Sequence, residues 1–157
     1  MKKILIALDY NPTAQKVAEK GYAFAIEMNA QVILLHVVTE PLYYSSTLYS
    51  PVMGFDGFNQ IDYVHPDVMT AITKHANRFL NHVKSHLGDE NIETEVIEGD
   101  VVQGIIDTAK YSKADVIVMG SHSRKWLEDI VLGSVTKNVL HQTDIPMFII
   151  PTNVKSE

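Results

Sequence analysis

The sequence contains no cysteine and no long uninterrupted apolar segment. The first absence excludes a disulfide framework and any thiol chemistry, and it is compatible with a reducing compartment. The second argues against a membrane-spanning helix, which needs about 20 consecutive apolar residues. The opening apolar run ends at Asp9 and is too short for the core of a signal peptide. We therefore expect a cytoplasmic protein.

Clusters of lysine and arginine are also missing, and the formal net charge is -6. Broad binding to nucleic acid or to an anionic membrane is therefore not expected. A small anionic ligand remains compatible with this charge, because backbone amides can bind an anion locally. The 157 residues have an ordinary globular composition. They predict one domain over residues 1–152 and a loose C-terminal tail over residues 153–157.

Nearly continuous apolar runs alternate with segments of helical period along the chain. Such runs are typical of parallel strands that are covered on both faces. Strands are expected at Lys2–Asp9, Gln31–Val38, Ile92–Glu98, Ala114–Gly120 and Ile145–Pro151. Helices are expected over residues 10–28, 67–88, 99–114 and 133–143. Strict alternation predicts an α/β fold, an open five-stranded parallel sheet with helices on both faces.

Local signals predict where helices begin and which residues they bury. Asn11 is the expected cap of the first helix, with Pro12 at its first position, and Asp100 is the expected cap of the third. One face of the first helix is expected to be buried, with Ala14, Val17, Ala18, Gly21, Tyr22, Ala25 and Ile26. The last helix is expected to bury Val135, Val139 and Leu140.

The segment Thr39–Pro66 matches neither a strand nor a helix and is rich in aromatic residues. A connection of this length inside a compact domain is uncommon and is often functional. Two interpretations remain open. The aromatic side chains either pack against a neighbouring helix or partner subunit, or they form a lid over a ligand.

Histidines allow one further hypothesis. His82 and His86 have the i, i+4 spacing of a metal pair, with His75 near the same side of the helix. The alternative, which we prefer, is that they flank the apolar stripe of an ordinary amphipathic helix, and no metal site is expected. His36 lies inside a predicted strand and is interpreted as a core histidine near the ligand cleft.

Ligands of open α/β sheets bind beyond the carboxyl ends of the strands, where the strand order reverses. Asp9 follows the first predicted strand, Val37 lies at the end of the second, and Gly120 ends the fourth. These positions line one cleft if the first and fourth strands are neighbours. Asp9 would then accept hydrogen bonds from ribose hydroxyls or from an adenine edge.

Small residues follow the fourth strand and open the next helix. Gly120 would let the chain turn sharply, and the first amides of the helix that begins at Gly133–Ser134 would favour a phosphate. Additional donors and charge would come from Ser121, Ser123, Ser134 and Arg124 or Lys125. Neither G-x-x-x-x-G-K-[ST] nor G-x-G-x-x-G occurs, so the pattern indicates a nucleotide site of another kind.

The spacing of Gly120, Ser123 and Gly133–Ser134 resembles the motif of the universal stress protein family in its ATP-binding branch, which is G-x-x-G, nine residues, then G-[ST]. "KKILIALD", "VILLHVV" and "PMFIIP" also resemble strands of that family. The resemblance covers nearly the whole chain apart from Thr39–Pro66. It implies an adenine nucleotide alpha hydrolase-like fold with strand order 3-2-1-4-5.

The resemblance also implies a ligand, a partner and residue roles. The ligand would be ATP with Mg, and the protein would be a homodimer joined through its last strand, Pro146–Ile150. An apolar edge strand gives this pairing a physical reason. The nucleotide-binding residues that the resemblance implies are Ala7, Asp9, Val37, Met119, Gly120, Ser123, Gly133, Ser134 and Val135. The residues themselves add Ser121 as a donor and His122, which either lines the site or faces solvent.

Ser123 replaces the second glycine of the motif. If this position requires a positive φ, serine adds strain of order 1 kcal/mol. If it requires only a small residue, the hydroxyl can bond a phosphate. The sequence leaves both alternatives open.

No catalytic constellation is evident, and we expect no enzyme. Glu128 and Asp129 lie near the motif, but no nucleophile elbow is present. A receiver domain would need an acidic cluster where Asp9 stands alone, and Asp100 is a weak match for its acceptor. The predicted function is an ATP-binding stress-response regulator with an unknown protein partner. Alternatives are a nucleotide-free dimeric interaction module and a slow ATPase.

Overall fold

Five parallel strands form one sheet in the computed structural model, which describes residues 1–39, 68–121 and 132–152. The strands are β1 Lys2–Ala7, β2 Ala30–Val38, β3 Glu93–Glu98, β4 Val116–Gly120 and β5 Met147–Ile150. Their order is β3-β2-β1-β4-β5, and every neighbouring pair is parallel. The predicted fold class and strand order are confirmed. The order reverses between β1 and β4.

Four helices in the described part of the chain cover the two faces of this sheet. They are α1 Ala14–Glu27, α2 Val68–Leu87, α3 Val101–Ser112 and α4 Ser134–Gln142. Side chains alternate between the faces of a strand. Ile4 and Ile6 of β1 therefore pack with α1 and α2, whereas Leu5 packs with α3 and α4. None of the described helices is long and apolar enough to cross a membrane.

The ends of two helices test the predicted caps. Asp100 caps α3 as predicted, because its carboxylate accepts a hydrogen bond from the Gln103 amide at 2.8 Å. The prediction for α1 was wrong: the cap position is Thr13, and Pro12 precedes the helix. The Asn11 side chain instead accepts hydrogen bonds from the amide and hydroxyl of Thr13. This local bond holds the turn before α1.

Two predicted core residues are exposed. Ile26 of α1 is 57% exposed, and Leu140 of α4 is 45% exposed. Each directly follows a buried residue, Ala25 or Val139. Because successive residues of an α-helix are rotated by about 100°, the side chain of the next residue points away from the buried direction. α1 lies close to the sheet at Gly21, where an added Cβ would come within 2.9 Å of the Ile6 side chain.

The two edges of the sheet differ in character. β3 lies at one edge, as predicted, and carries glutamates at both ends. β5 forms the other edge, where Phe148 is 36% exposed and stacks on Phe24 of α1 with ring centroids 4.4 Å apart. The aromatic segment beyond Thr39 and the predicted tail at 153–157 lie outside the described residues.

Candidate nucleotide site at the carboxyl ends of β1 and β4

The candidate site lies at the carboxyl-terminal end of the sheet, where the inner strands β1 and β4 end side by side. Ile6 of β1 pairs with Val118 of β4, so the residues that follow each strand emerge next to one another. Exposed Asp9 follows β1, and Gly133 precedes α4. We name this region the switch-point cleft and define it by Ala7–Asp9, Met119–Ser121 and Gly133–Val135.

The beginning of α4 is fixed to the end of β4 by two hydrogen bonds. The Gly133 amide donates to the Ser121 carbonyl at 3.0 Å, and the Thr136 hydroxyl donates to the Gly120 carbonyl at 2.8 Å. Gly133 occupies the cap position without a side-chain bond to the helix. The first amides of a helix have no intrahelical acceptor, and together with the helix dipole they suit an anion. This end of α4 can therefore receive a phosphate.

Gly120 is required by packing, which corrects the sequence interpretation. We expected it to permit a sharp turn, but among the described glycines only Gly88 and Gly99 have a positive φ. A Cβ on Gly120 would lie 2.9 Å from Cγ2 of Val17 and 3.0 Å from Cγ2 of Thr152. The missing side chain thus lets β4 approach α1 and the chain beyond β5.

Ser121 is buried and bonded within the protein. Its Oγ accepts a hydrogen bond from the Thr152 amide at 3.0 Å and lies 3.4 Å from the Thr152 hydroxyl. Its amide donates to the Ile150 carbonyl at 2.9 Å. Ser121 therefore joins the ends of β4 and β5. The Ser121 hydroxyl can still donate its own proton to a phosphate, as the sequence suggested, when the Thr152 hydroxyl is the donor of the 3.4 Å contact.

The segment between β1 and α1, Leu8–Thr13, is ordered by successive hydrogen bonds. The Leu8 amide donates to the Leu35 carbonyl of β2 at 2.9 Å. The Leu8 carbonyl lies 2.8 Å from Nδ1 of His36. The Asp9 carboxylate accepts from the Asn11 amide at 3.0 Å. The backbone before Asp9 is therefore fixed to β2, while the Asp9 side chain itself is exposed to solvent.

His36 is buried in β2, and burial lowers its pKa; the Leu8 carbonyl and the Asp9 charge oppose this shift, and His75 adds to it. The ring is therefore neutral at pH 7. Sequence analysis placed His36 in the core near the cleft but did not identify its bond to Leu8. No local sequence signal could have done so, since Leu8 follows β1 and His36 lies on β2, 28 residues away.

The model of the universal stress protein family matches residues 1–151. The chain belongs to this family. It is 29% identical to universal stress protein MJ0577 of Methanocaldococcus jannaschii over 152 residues, which cover 95% of this chain and 94% of the relative. It is 28% identical to universal stress protein A of Escherichia coli, with 99% and 98% covered.

Solved structures of the family have the same fold. The structure of MJ0577 superposes with a TM-score of 0.71 at 27% identity, with 98% of each chain covered. A universal stress protein in complex with cAMP gives a TM-score of 0.61 at 19% identity, covering 97% and 98%. The universal stress protein from Archaeoglobus fulgidus in complex with dAMP gives a TM-score of 0.60 at 16% sequence identity, and the match covers 95% of this chain and 97% of the other.

The predicted site residues of this universal stress protein fall into three groups. At the switch-point cleft lie Ala7, Asp9, Met119, Gly120, Ser121, Gly133, Ser134 and Val135. Val37 is buried on β2, the strand that pairs with β1 on the side away from β4. His122 and Ser123, with the nearby charged residues of the same segment, lie outside the described residues. Thr136 and Thr152, which hold the site together, were missed because their partners are distant in sequence.

His86 of α2 takes part in the contact between α2 and α1. Nε2 of His86 lies 2.8 Å from the Glu19 carboxylate of α1, and this bond lowers the pKa of Glu19. In residues 1–39, 68–121 and 132–152, no three His, Cys, Asp or Glu side chains are grouped so that they could hold a metal ion. The Glu19 contact instead joins α1 to α2.

Proposed function

We propose that this universal stress protein binds ATP with Mg in the switch-point cleft. The observation that carries the proposal is the position of the α4 N-terminus, which is hydrogen-bonded to the end of β4 where the strand order reverses. Ligands of open α/β sheets bind at this point. The resulting nucleotide-dependent conformation would regulate the binding of a protein partner in the cytoplasm.

Each part of ATP has a suitable group in the cleft. The phosphates would accept hydrogen bonds from the first amides of α4, at Ser134 and Val135. The Asp9 carboxylate would accept from the ribose hydroxyls or the adenine edge, with the backbone of Ala7 and Val37 near the base. Mg is commonly held through phosphates, waters and few protein ligands. The absence of a grouped metal site among the described residues is therefore compatible with Mg that arrives with the nucleotide.

The relatives support an adenine nucleotide as the ligand class. Family members of the same fold form complexes with cAMP and with dAMP. Both ligands contain an adenine base and a phosphate, the two groups for which this cleft offers partners. A triphosphate adds charge that the α4 N-terminus can also stabilise.

The first prediction concerns Asp9. Calorimetric titration of nucleotide-stripped protein with Mg-ATP should show saturable binding, one nucleotide per subunit. Asp9→Asn should weaken it roughly tenfold, because hydrogen bonds to a charged acceptor contribute about 1.5–3 kcal/mol. Asp144→Asn is the matched control, since Asp144 is an exposed carboxylate that precedes β5 and therefore lies at the opposite, amino-terminal end of the parallel strands. Absence of wild-type binding up to millimolar ATP would refute the proposal.

A second candidate function is a nucleotide-free interaction module. It is favoured by the internal use of two predicted site residues: Gly120 packs against Val17 and Thr152, and Ser121 is bonded to Thr152. These residues would keep their identity in such a module even without a ligand. The same titration separates the candidates, since the module would bind no ATP.

We also propose that the protein is a homodimer joined through β5 over Pro146–Ile150. β5 is an edge strand, and it carries the exposed ring of Phe148. An apolar edge is a ready site for pairing with another chain. Phe148→Lys should therefore shift the protein from a dimer toward the 17.6 kDa monomer in sedimentation equilibrium. Tyr111→Lys, on the far side of the sheet and 89% exposed, should leave the dimer intact. A monomeric wild type would contradict the proposal.

A further inference from the structure

His36 is a polar residue in an otherwise apolar buried segment of β2, with only 4% of its surface exposed. Its Nδ1 lies 2.8 Å from the carbonyl oxygen of Leu8. Because a carbonyl oxygen can only accept, Nδ1 must carry the proton and donate it. The contact therefore fixes the tautomer of the ring with its proton on Nδ1.

This bond holds the chain beyond the end of β1. β1 ends at Ala7, yet β2 binds both backbone groups of Leu8: the Leu35 carbonyl receives its amide, and the His36 ring donates to its carbonyl. The Leu8 carbonyl belongs to the peptide unit that leads into Asp9. Asp9 in turn accepts from the Asn11 amide. The position of the Asp9 carboxylate thus depends on a side chain of the neighbouring strand.

The surroundings of His36 favour a neutral, fixed ring. Tyr10 packs against it in a tilted arrangement, with ring centroids 4.4 Å apart, and the ring centroid of Phe79 of α2 lies 6.1 Å away. The facing charged or titratable groups are Asp9 and Tyr10 before α1 and His75 on α2. The residue paired with it on β3 is the apolar Val96. Nε2 has no hydrogen-bond partner among the described residues, so the bond through Nδ1 is the polar contact that orients the ring.

We propose that His36 is a positioning residue of the nucleotide site, which holds Asp9 in place through the bond from Nδ1–H to the Leu8 carbonyl. The inference rests on the proposed nucleotide function for its consequence in binding. It assigns to His36 a role that does not require contact with the ligand. Core packing alone would need only the shape of the ring.

Two variants separate the hydrogen bond from the shape. His36→Phe keeps an aromatic ring beside Tyr10 but has no donor for the Leu8 carbonyl. His36→Asn loses the ring but offers an amide N–H near the position of Nδ1. We expect Mg-ATP affinity to fall roughly tenfold in His36→Phe, in line with a buried acceptor left unsatisfied, and to be largely retained in His36→Asn. The reverse order would indicate packing and overturn the proposal.

A measurement without nucleotide keeps this test independent of the proposed function. Hydrogen exchange of the Asn11 amide, which is bonded to Asp9, should be faster in His36→Phe and close to wild type in His36→Asn. Equal exchange in all three proteins would overturn the positioning role. Failure of the wild type to bind Mg-ATP, with the exchange difference present, would refute the nucleotide function while supporting the role of His36 in placing Asp9.

The wild type alone provides a test if His36→Phe does not fold. The ¹⁵N resonances of the His36 ring should show the neutral form with the proton on Nδ1 at pH 7, because burial lowers the pKa of this histidine. Observation of the tautomer with its proton on Nε2 would exclude the bond to Leu8 and overturn the proposal.

Discussion

Gly133→Val is expected to weaken Mg-ATP binding by at least about 100-fold, equivalent to about 2.7 kcal/mol. Gly133 caps α4 with φ -58 and ψ 153, a conformation that any residue adopts. Valine should therefore be tolerated by the backbone. Its branched side chain would instead occupy space beside the first amides of α4, where the phosphates are proposed to bind. The loss should arise at the ligand and not from strain in the fold.

Two controls define this result. Asn138→Val introduces the same side chain at an exposed position of the same helix, and its affinity should equal that of the wild type. Thermal unfolding of both variants should remain within a few degrees of wild type, since surface substitutions usually change stability by at most about 0.5 kcal/mol. If Gly133→Val binds Mg-ATP as well as wild type does, the phosphates do not lie at the beginning of α4.

Phe79→Ala is expected to lower the free energy of unfolding by about 3–5 kcal/mol. Phe79 is fully buried in the core between the sheet and helices α1 and α2. Its ring contacts Tyr10 edge to face, with centroids 5.0 Å apart. Removing it leaves a cavity beneath the Leu8–Thr13 segment, since the surrounding core can collapse only partly.

Denaturant unfolding followed by circular dichroism measures this effect. Tyr111→Ala is the matched control, because it also truncates an aromatic side chain on a helix but at an 89% exposed position. It should change the free energy of unfolding by about 0.5 kcal/mol or less. A loss below 1 kcal/mol in Phe79→Ala would mean that this core repacks with little cost, contrary to the expectation for a fully buried ring.

Periodicity predicted the elements because burial on both faces imposes a continuous apolar run on a parallel strand. β2 is the clearest case, since seven consecutive residues from Val32 are buried. The cap at Asp100 was predictable for a similar reason, because the bond reaches only three residues along the chain. The face of a helix was predicted less well. Ile26 and Leu140 match the period of their helices, yet both are exposed, because which flank of a helix is covered depends on the elements packed beside it.

The sequence by itself determined the alternating α/β architecture, the family resemblance and the set of small residues around the end of β4. Only the tertiary structure decided what those residues contact. Gly120 accommodates Val17 and Thr152, Ser121 bonds Thr152, and His36 bonds Leu8. The physical reason is the range of the interactions: periodicity and caps act within one element, whereas these contacts join residues 28 to 32 positions apart, or more than 100 for Val17. Their partners are set by strand order and by packing between elements.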